Sequence, residues 1–419
     1  MNRLNVHFHG IQQSDPVRMG TLVWHDQRAW FEFDSEFLDL GFNPSPLLLE
    51  KTTKPQPAPI SPFGGLHSIF HDSLPDGWGR FIMDRYFQQC GVSHNEITPL
   101  DRLAFIANRG MGALTYSPPH STAPTRSSQE PLDLTKAAAT ASDLYGGSVS
   151  DVDQFFASNG TPAAGGQPKL VIGYNGSEVV EGSGRLSDSF SHWLVKLSSA
   201  TNPTARHVGT VEYVYAQLAS IADIHMSGVR LFRGEKGHSH FLTRRFDRKR
   251  HGQRLFVQSA SSLLNVDSRN AELEYSDLFK LSDFLTRNYA HKLFLFRQMV
   301  FNITAGNRDD HPRNFAFMLT ETGEWSCTPA FDICWNIGMA GKHALGVNGR
   351  HKEIARSDVL EVAKQASISR RDALKTIELV IDALSSCRSL LREHEISDEH
   401  TRTIARYIER QQQEFAINS

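Results

Sequence analysis

The chain has 419 residues, 40% hydrophobic and 21% charged, a balance that fits two or three globular domains and excludes a disordered or fibrous protein. Its 44 Lys and Arg against 46 Asp and Glu leave a net charge of −2, so no global basic field draws it to nucleic acid, and DNA contact is expected only through a local patch or a partner. Four scattered cysteines (Cys90, Cys327, Cys334, Cys387) without a CxxC pair argue against a zinc ribbon or disulfide framework and read as reduced thiols. The opening MNRLNVHFHGIQQ lacks an apolar signal core, and KLFLFRQMVFNI carries Lys292 and Arg297 in too short a span to cross a bilayer. A cytoplasmic protein with no membrane segment is expected.

LNVHFHG and TLVWHDQRAWFEFD alternate apolar and polar residues around turn-like residues, which predicts a small β-rich unit of antiparallel strands. In SLPDGWGRFIMDRYFQQCGV a Pro75-Asp76-Gly77 turn leads into a helix with Phe81, Ile82, Tyr86 and Phe87 on its apolar side, ended by Gly91. SPPHSTAPTRSSQEP (117–131) is rich in Pro, Ser and Thr and reads as a linker or long surface loop. PKLVIGY (168–174) and HWLVKLSS (192–199) predict strands, VEYVYAQLASIADIHM (211–226) a helix, and SHFLTRRFD (239–247) a further strand. From about residue 275 the pattern is helical, through YSDLFKLSDFLTRN, HKLFLFRQMVFNITAG, DALKTIELVIDALSSCRSLLREH and EHTRTIARYIERQQQEF. No solenoid repeat is present. A β-rich part followed by a helix-rich part predicts a two-lobed α+β protein.

At the join lies GNRDDHPRNFAF (306–317), in which Arg308 precedes Asp309 and Asn314 follows five positions later. That is the spacing of a phosphoryl-transfer loop, where the Asp orients a hydroxyl and the Asn holds a metal. The same string also reads as a charged turn between a helix and a strand. Lys196 sits in the apolar WLVKLSS, where a buried ammonium needs a partner, and Glu212 in the following helix pattern is a candidate. A lysine on a solvated strand face and a glutamate compensating a helix dipole are the alternatives. Asp332, in the otherwise apolar TPAFDICWNIG, reads as a ligand for a divalent cation or as a cap. NGTPAAGGQPK (159–169) offers Gly165 and Gly166 to phosphates through backbone N–H groups, though it is not G-x-G-x-x-G and reads equally as a surface turn. The 19 histidines show no zinc-ligand spacing.

AGGQPKL, WLVKLSS, VEYVYAQLA, FLTRRFDR, GNRDDHPRNFAF and TPAFDICW, in that order, resemble the HipA toxin kinases, bacterial serine/threonine kinases of type II toxin–antitoxin systems. HSIFHDSLPDGWGR and LAFIANRGMGAL resemble the small N-terminal subdomain of the same family, so the resemblance spans nearly the whole chain. It implies a protein-kinase-like fold, with an N-terminal subdomain at 1–116, a linker or loop at 117–145, a nucleotide-binding N-lobe at 146–250 and a helical C-lobe with the catalytic loop at 251–419. It further implies ATP and Mg²⁺ as cofactors, Asp309 as the catalytic aspartate, Lys196 on the ATP phosphates, and Asn314 and Asp332 on the metal. Arg244 and Phe246 match the hinge whose backbone holds adenine, Glu212 matches a helix glutamate of the family, and His311 is counted with the nucleotide-contacting residues.

The implied partners are a protein substrate such as an aminoacyl-tRNA synthetase and a HipB-like helix-turn-helix antitoxin, with DNA reached only through that antitoxin. A small-molecule or lipid kinase and a non-catalytic pseudokinase module that binds an antitoxin are the alternatives. The sequence departs from the family at Pro162, which stands where a self-phosphorylated serine is common. Thr161, Ser158, Ser150 and Ser148 are therefore the candidate acceptors.

Overall fold

A computed structural model of the chain describes residues 1–10, 15–120, 130–145, 167–198, 207–234, 239–249, 252–267 and 272–416. The predicted period-two pattern at the start becomes strands β1 (Arg3–Phe8), β2 (Val17–His25) and β3 (Arg28–Phe33), joined by β4 (Gln56–Pro57) and β5 (Leu114–Ser117) in an antiparallel sheet of order β4-β3-β2-β1-β5. Leu4, Val6 and Phe8 point inward from β1, as the alternation requires. The helix Gly77–Gln89 covers this unit with Trp78, Ile82, Met83, Tyr86 and Phe87, whereas Phe81 is turned outward and 38% exposed.

The segment 117–145, expected as a linker or loop, contains the helix Leu134–Tyr145, whose Leu134, Ala137, Ala138, Ala141 and Leu144 are buried. Its apolar face is built mostly from alanines, which carry little hydrophobic contrast for a periodicity argument but allow close packing.

The second sheet is antiparallel with order β7-β6-β8-β10-β9, from β6 (Lys169–Tyr174), β7 (Val179–Glu181), β8 (Ser191–Lys196), β9 (Val229–Arg233) and β10 (Ser239–Arg244). In its register Lys169 and Phe241 flank Lys196, and two residues along Thr243 pairs with Leu194. One contiguous apolar core runs from Leu4, Val6 and Phe31 of the first sheet to Leu170, Ile172, Val195 and Leu242 of the second.

The helix-rich half encloses a second core containing Phe279, Phe296, Phe301, Val380 and Ile404. Its helices include Tyr275–Thr286, Tyr289–Ala305, Arg356–Gln365 and Asp398–Ala416. The helical run expected over 372–394 divides at Ser385 and Ser386 into Arg370–Leu384 and Cys387–Glu393. A small antiparallel sheet of β11 (Val257–Ser259), β12 (Ala316–Leu319) and β13 (Trp325–Cys327) contributes Leu319 to the first core and Phe317 to the second. The whole is a two-lobed α+β fold. Among the described residues no helix is long and apolar enough to cross a membrane.

Candidate active site

The two halves face each other across a cleft of about 290 Å³. Strand alternation buries Trp193 and Val195 of β8 in the core and leaves Leu194 and Lys196 lining the cleft. Lys196 Nζ donates to Glu212 Oε1 at 2.5 Å and also to Asp332. Glu212 sits in the helix Val208–Ile221, only 3% exposed, so the solvated-strand and dipole readings of the two residues give way to a buried ion pair.

Asp332 arrives from the other half of the molecule at φ +57, a left-handed conformation unusual for a residue with a side chain, directly after Phe331. Its second oxygen lies 3.7 Å from Lys169. Two ammonium groups and two carboxylates thus form one closed set, which is how buried charge becomes tolerable. Burial alone would push the Asp332 carboxyl up, but Lys169 and Lys196 outweigh it and hold it well below the usual carboxylate range. Burial likewise opposes the charge on Lys196, and Asp332 with Glu212 overcomes it and raises the ammonium. Lys169 was not singled out from the sequence. The signal lay in strand register, because a lysine opening β6 is the cross-strand neighbour of one closing β8.

The loop bearing Asp309 is held from three directions. Gly306, at φ +73, ends the helix Tyr289–Ala305, and a Cβ there would lie 2.8 Å from the Tyr407 ring. Asn307 and Asn336 then form a parallel bridge, with Arg308 N donating to Asn336 O at 3.2 Å and Asn336 N to Gly306 O at 3.1 Å. This bridge ties the Asp309 loop to the segment that follows Asp332. Finally Asp310, 1% exposed, accepts from Tyr275 Oη, from His343 Nδ1 and from Ala344 N, each at 2.8 Å. Of the two adjacent aspartates one is therefore an anchor and the other faces the cleft. Their equal charge hides that division from the sequence.

Asp309 is half exposed, with His311 Nε2 3.8 Å from its carboxylate. Partial burial pushes its carboxyl up; His311 and Lys196 oppose that push, and Asp332 and Asp310 reinforce it. Proline opens the 3₁₀ turn Pro312–Asn314, and Asn314 Nδ2 donates back to the Asp309 carbonyl at 2.8 Å. With its amide N–H engaged there, Asn314 offers Oδ1 to a ligand. Asn314 Oδ1 and the Asp332 carboxylate are hard oxygen donors, a set that fits Mg²⁺.

Arg244 and Phe246 line the cleft at the far end of β10. Arg244 N and Arg245 N donate to Gly228 O and His192 O at 2.8 and 2.9 Å. The Phe246 ring lies 5.8 Å from that of Phe331, which couples the segment after β10 to the Asp332 turn. All of Lys196, Glu212, Arg244, Phe246, Asp309, His311, Asn314 and Asp332 line this one cleft. The N-terminal unit also reaches it: Asp72 accepts from Ser259 N and Oγ at 2.6 and 2.8 Å, and Arg313 Nη1 donates to Asp76 at 2.9 Å. Gly165 and Gly166 and the candidate acceptors Thr161, Ser158, Ser150 and Ser148 lie outside the described residues.

The family model for the HipA-like C-terminal domain matches residues 161–387, and that for the HipA N-terminal domain matches residues 12–117. A serine/threonine-protein kinase toxin HipA of Shewanella oneidensis is 26% identical over 191 residues, 41% of this chain and 42% of that protein. The match thus spans about two fifths of the length of this curated relative. The solved complex of HipA, HipB and operator DNA from Shewanella oneidensis contains a chain that superposes with a TM-score of 0.70 at 18% identity, covering 98% of this chain and 95% of that one. The proinflammatory kinase CtkA of Helicobacter pylori gives a TM-score of 0.37 at 14% identity over 54% of this chain and 88% of its own.

Proposed function

The chain belongs to the HipA family, and from that premise we propose that it is an ATP- and Mg²⁺-dependent serine/threonine protein kinase acting as the toxin of a toxin–antitoxin pair in the cytoplasm. The observation that carries this reading is the meeting of Lys196, Glu212 and Asp332 with the Asp309–Asn314 loop in one cleft. Phosphoryl transfer asks a protein mainly for positive charge around the phosphates and for alignment of the nucleophile.

In this scheme Lys196, braced by Glu212, and Lys169 neutralise the nucleotide phosphates. Asn314 Oδ1 and the Asp332 carboxylate hold Mg²⁺, which when bound neutralises charge on the transferring phosphoryl group. Asp309 accepts the proton of the substrate hydroxyl and aligns its oxygen. Its raised proton affinity suits that task, since a stronger base accepts the proton more readily. The HipB component of the related complex supports a helix-turn-helix antitoxin as the partner, with DNA contacted through it. The implied substrate is a cytoplasmic protein such as an aminoacyl-tRNA synthetase.

The test is a mass-spectrometric comparison of phosphopeptides in cells expressing wild type or Asp309→Asn. A phosphoprotein present only with wild type supports the reading. Incorporation into a metabolite or lipid pool instead would assign a small-molecule kinase, and no Asp309-dependent transfer at all would leave a pseudokinase. The same experiment on purified protein reads self-phosphorylation, proposed within residues 148–161.

A further inference from the structure

The cleft has a charged end and an apolar end, and the sheet register orders them. The row Lys169–Lys196–Phe241 lies beside Asp332, while Leu194 and Thr243 stand two residues further along and lead to Phe246. Two residues of strand span about 7 Å, so a nucleotide with its phosphates at Lys196 has its base at the Phe246 end.

That end is walled by the N-terminal unit. Met111, Gly112 and Ala113 line the cleft there, and they are held by a dry ionic joint. Gly112 N donates to Asp247 Oδ2 at 2.7 Å. Arg248 donates to the carbonyls of Gly112 and Gly110 at 2.9 and 2.8 Å, and Arg254 to that of Asn108 at 2.7 Å. Arg245 and Arg248 both close on Asp247, and the side chains of Arg245, Asp247 and Arg248 are 1%, 2% and 4% exposed. Asp247 follows Phe246 directly, so the joint fixes loop 108–113 against the residue at the base end. Gly112 sits at φ +72, where a side chain would be strained.

A joint so fully buried, with charged groups desolvated to grip the carbonyls of Gly110 and Gly112, is more than docking two surfaces requires. We propose that loop 108–113 is part of the nucleotide site, that Met111 forms its wall against the base, and that Asp247 and Arg248 are positioning residues which hold this wall in register with the hinge. The inference rests on reading the cleft as a nucleotide site. It adds that base recognition is shared between the N-terminal unit and the sheet that carries Lys196.

The test is calorimetric titration of the full chain with adenosine and with ATP plus Mg²⁺, with thermal unfolding of each protein in parallel. Arg248→Met removes the grip on both carbonyls and is expected to weaken adenosine and ATP alike, by about tenfold, a loss of about 1.4 kcal/mol. Lys196→Ala should weaken ATP while leaving adenosine unchanged. Met111→Ala, which leaves the joint intact, should weaken adenosine about threefold or more through lost apolar contact. Arg248→Met that melts at lower temperature yet binds adenosine with wild-type affinity, or Met111→Ala with unchanged adenosine affinity, overturns the proposal. Should Arg248→Met fail to fold, Met111→Ala decides alone. A wild-type protein that binds neither ligand overturns the kinase reading itself.

Discussion

Lys196 donates to two carboxylates at once, and the consequences of removing it depend on which of them can take up a proton. Lys196→Ala leaves Glu212 buried without its partner, which typically costs about 3–5 kcal/mol. Glu212 is already raised by burial, with Asp332 adding to the effect and Lys196 opposing it. A carboxyl raised in the folded state contributes stability that is fully present below its unfolded value of about 4.3 and is lost as pH rises through the folded value. The deficit of Lys196→Ala relative to wild type, read from urea unfolding, is therefore expected to be smaller at pH 5 than at pH 8. Asp309 is raised as well, and in the proposed role of base it must be ionised. The acid limb of kcat/KM should accordingly titrate above the ordinary aspartate range, and His311→Asn, which removes an opposing influence, should move it further up. A limb unmoved by His311→Asn would mean that another group is being titrated. Lys196 and Asp332 were legible as ionisable groups stranded among apolar neighbours, and Asp309 and Asn314 by their spacing in a charged string. Lys169 and Asp310 were not, since one owes its role to cross-strand register and the other to contacts with Tyr275 and His343, over thirty positions away.

The element that launches the Asp309 loop is the end of the helix Tyr289–Ala305, and its termination is steric as well as conformational. Gly306→Ala would place a methyl against Trp335 and Tyr407 and hold a side chain at positive φ. We expect a loss of about 2 kcal/mol or more in stability and a larger proportional loss in turnover, because the strand-like bridge to Asn336 starts at this residue. Tyr275→Phe removes one hydrogen bond to Asp310 and should cost about 1 kcal/mol, whereas Asp310→Ala strands three donors and should cost about 3 kcal/mol or more. Equal effects of the two in chemical denaturation would show that Asp310 does not anchor the loop. At this scale the sequence was most readable where polar and apolar residues alternate cleanly, as in β1, or where a short apolar run is bounded by turn residues, as in β6. It was least readable in the helix Leu134–Tyr145, whose buried face is largely alanine, and at the Ser385–Ser386 break, where the apolar period continues across two separate helices.

At the scale of the whole molecule, the first core joins the N-terminal sheet to the second sheet and reaches the segment before β11, where the Phe256 ring lies 5.5 Å from that of Phe8. A division of the chain by composition does not show this, because it depends on which apolar faces meet. Hydrogen exchange is expected to report one cooperative unit comprising β1–β3, β6, β8 and β10, with the helices of the second core exchanging separately; independent exchange of β1–β3 would contradict a shared core. The pairing of Lys196 with Asp332 also spans the halves, since the lysine closes β8 and the aspartate belongs to the turn after β13. The two charges bolt the cleft across its charged end. On the proposed reading, phosphates arriving at Lys196 would compete with Asp332 for the same ammonium, and that exchange would free the carboxylate for a cation. Nucleotide association should therefore be gated, slower than diffusion and preceding tight uptake of Mg²⁺, so that the free protein binds the cation weakly. Stopped-flow measurement with a fluorescent nucleotide would show it: Asp332→Asn is expected to raise the association rate even as it weakens the final complex, a reversal that a merely damaged site would not produce.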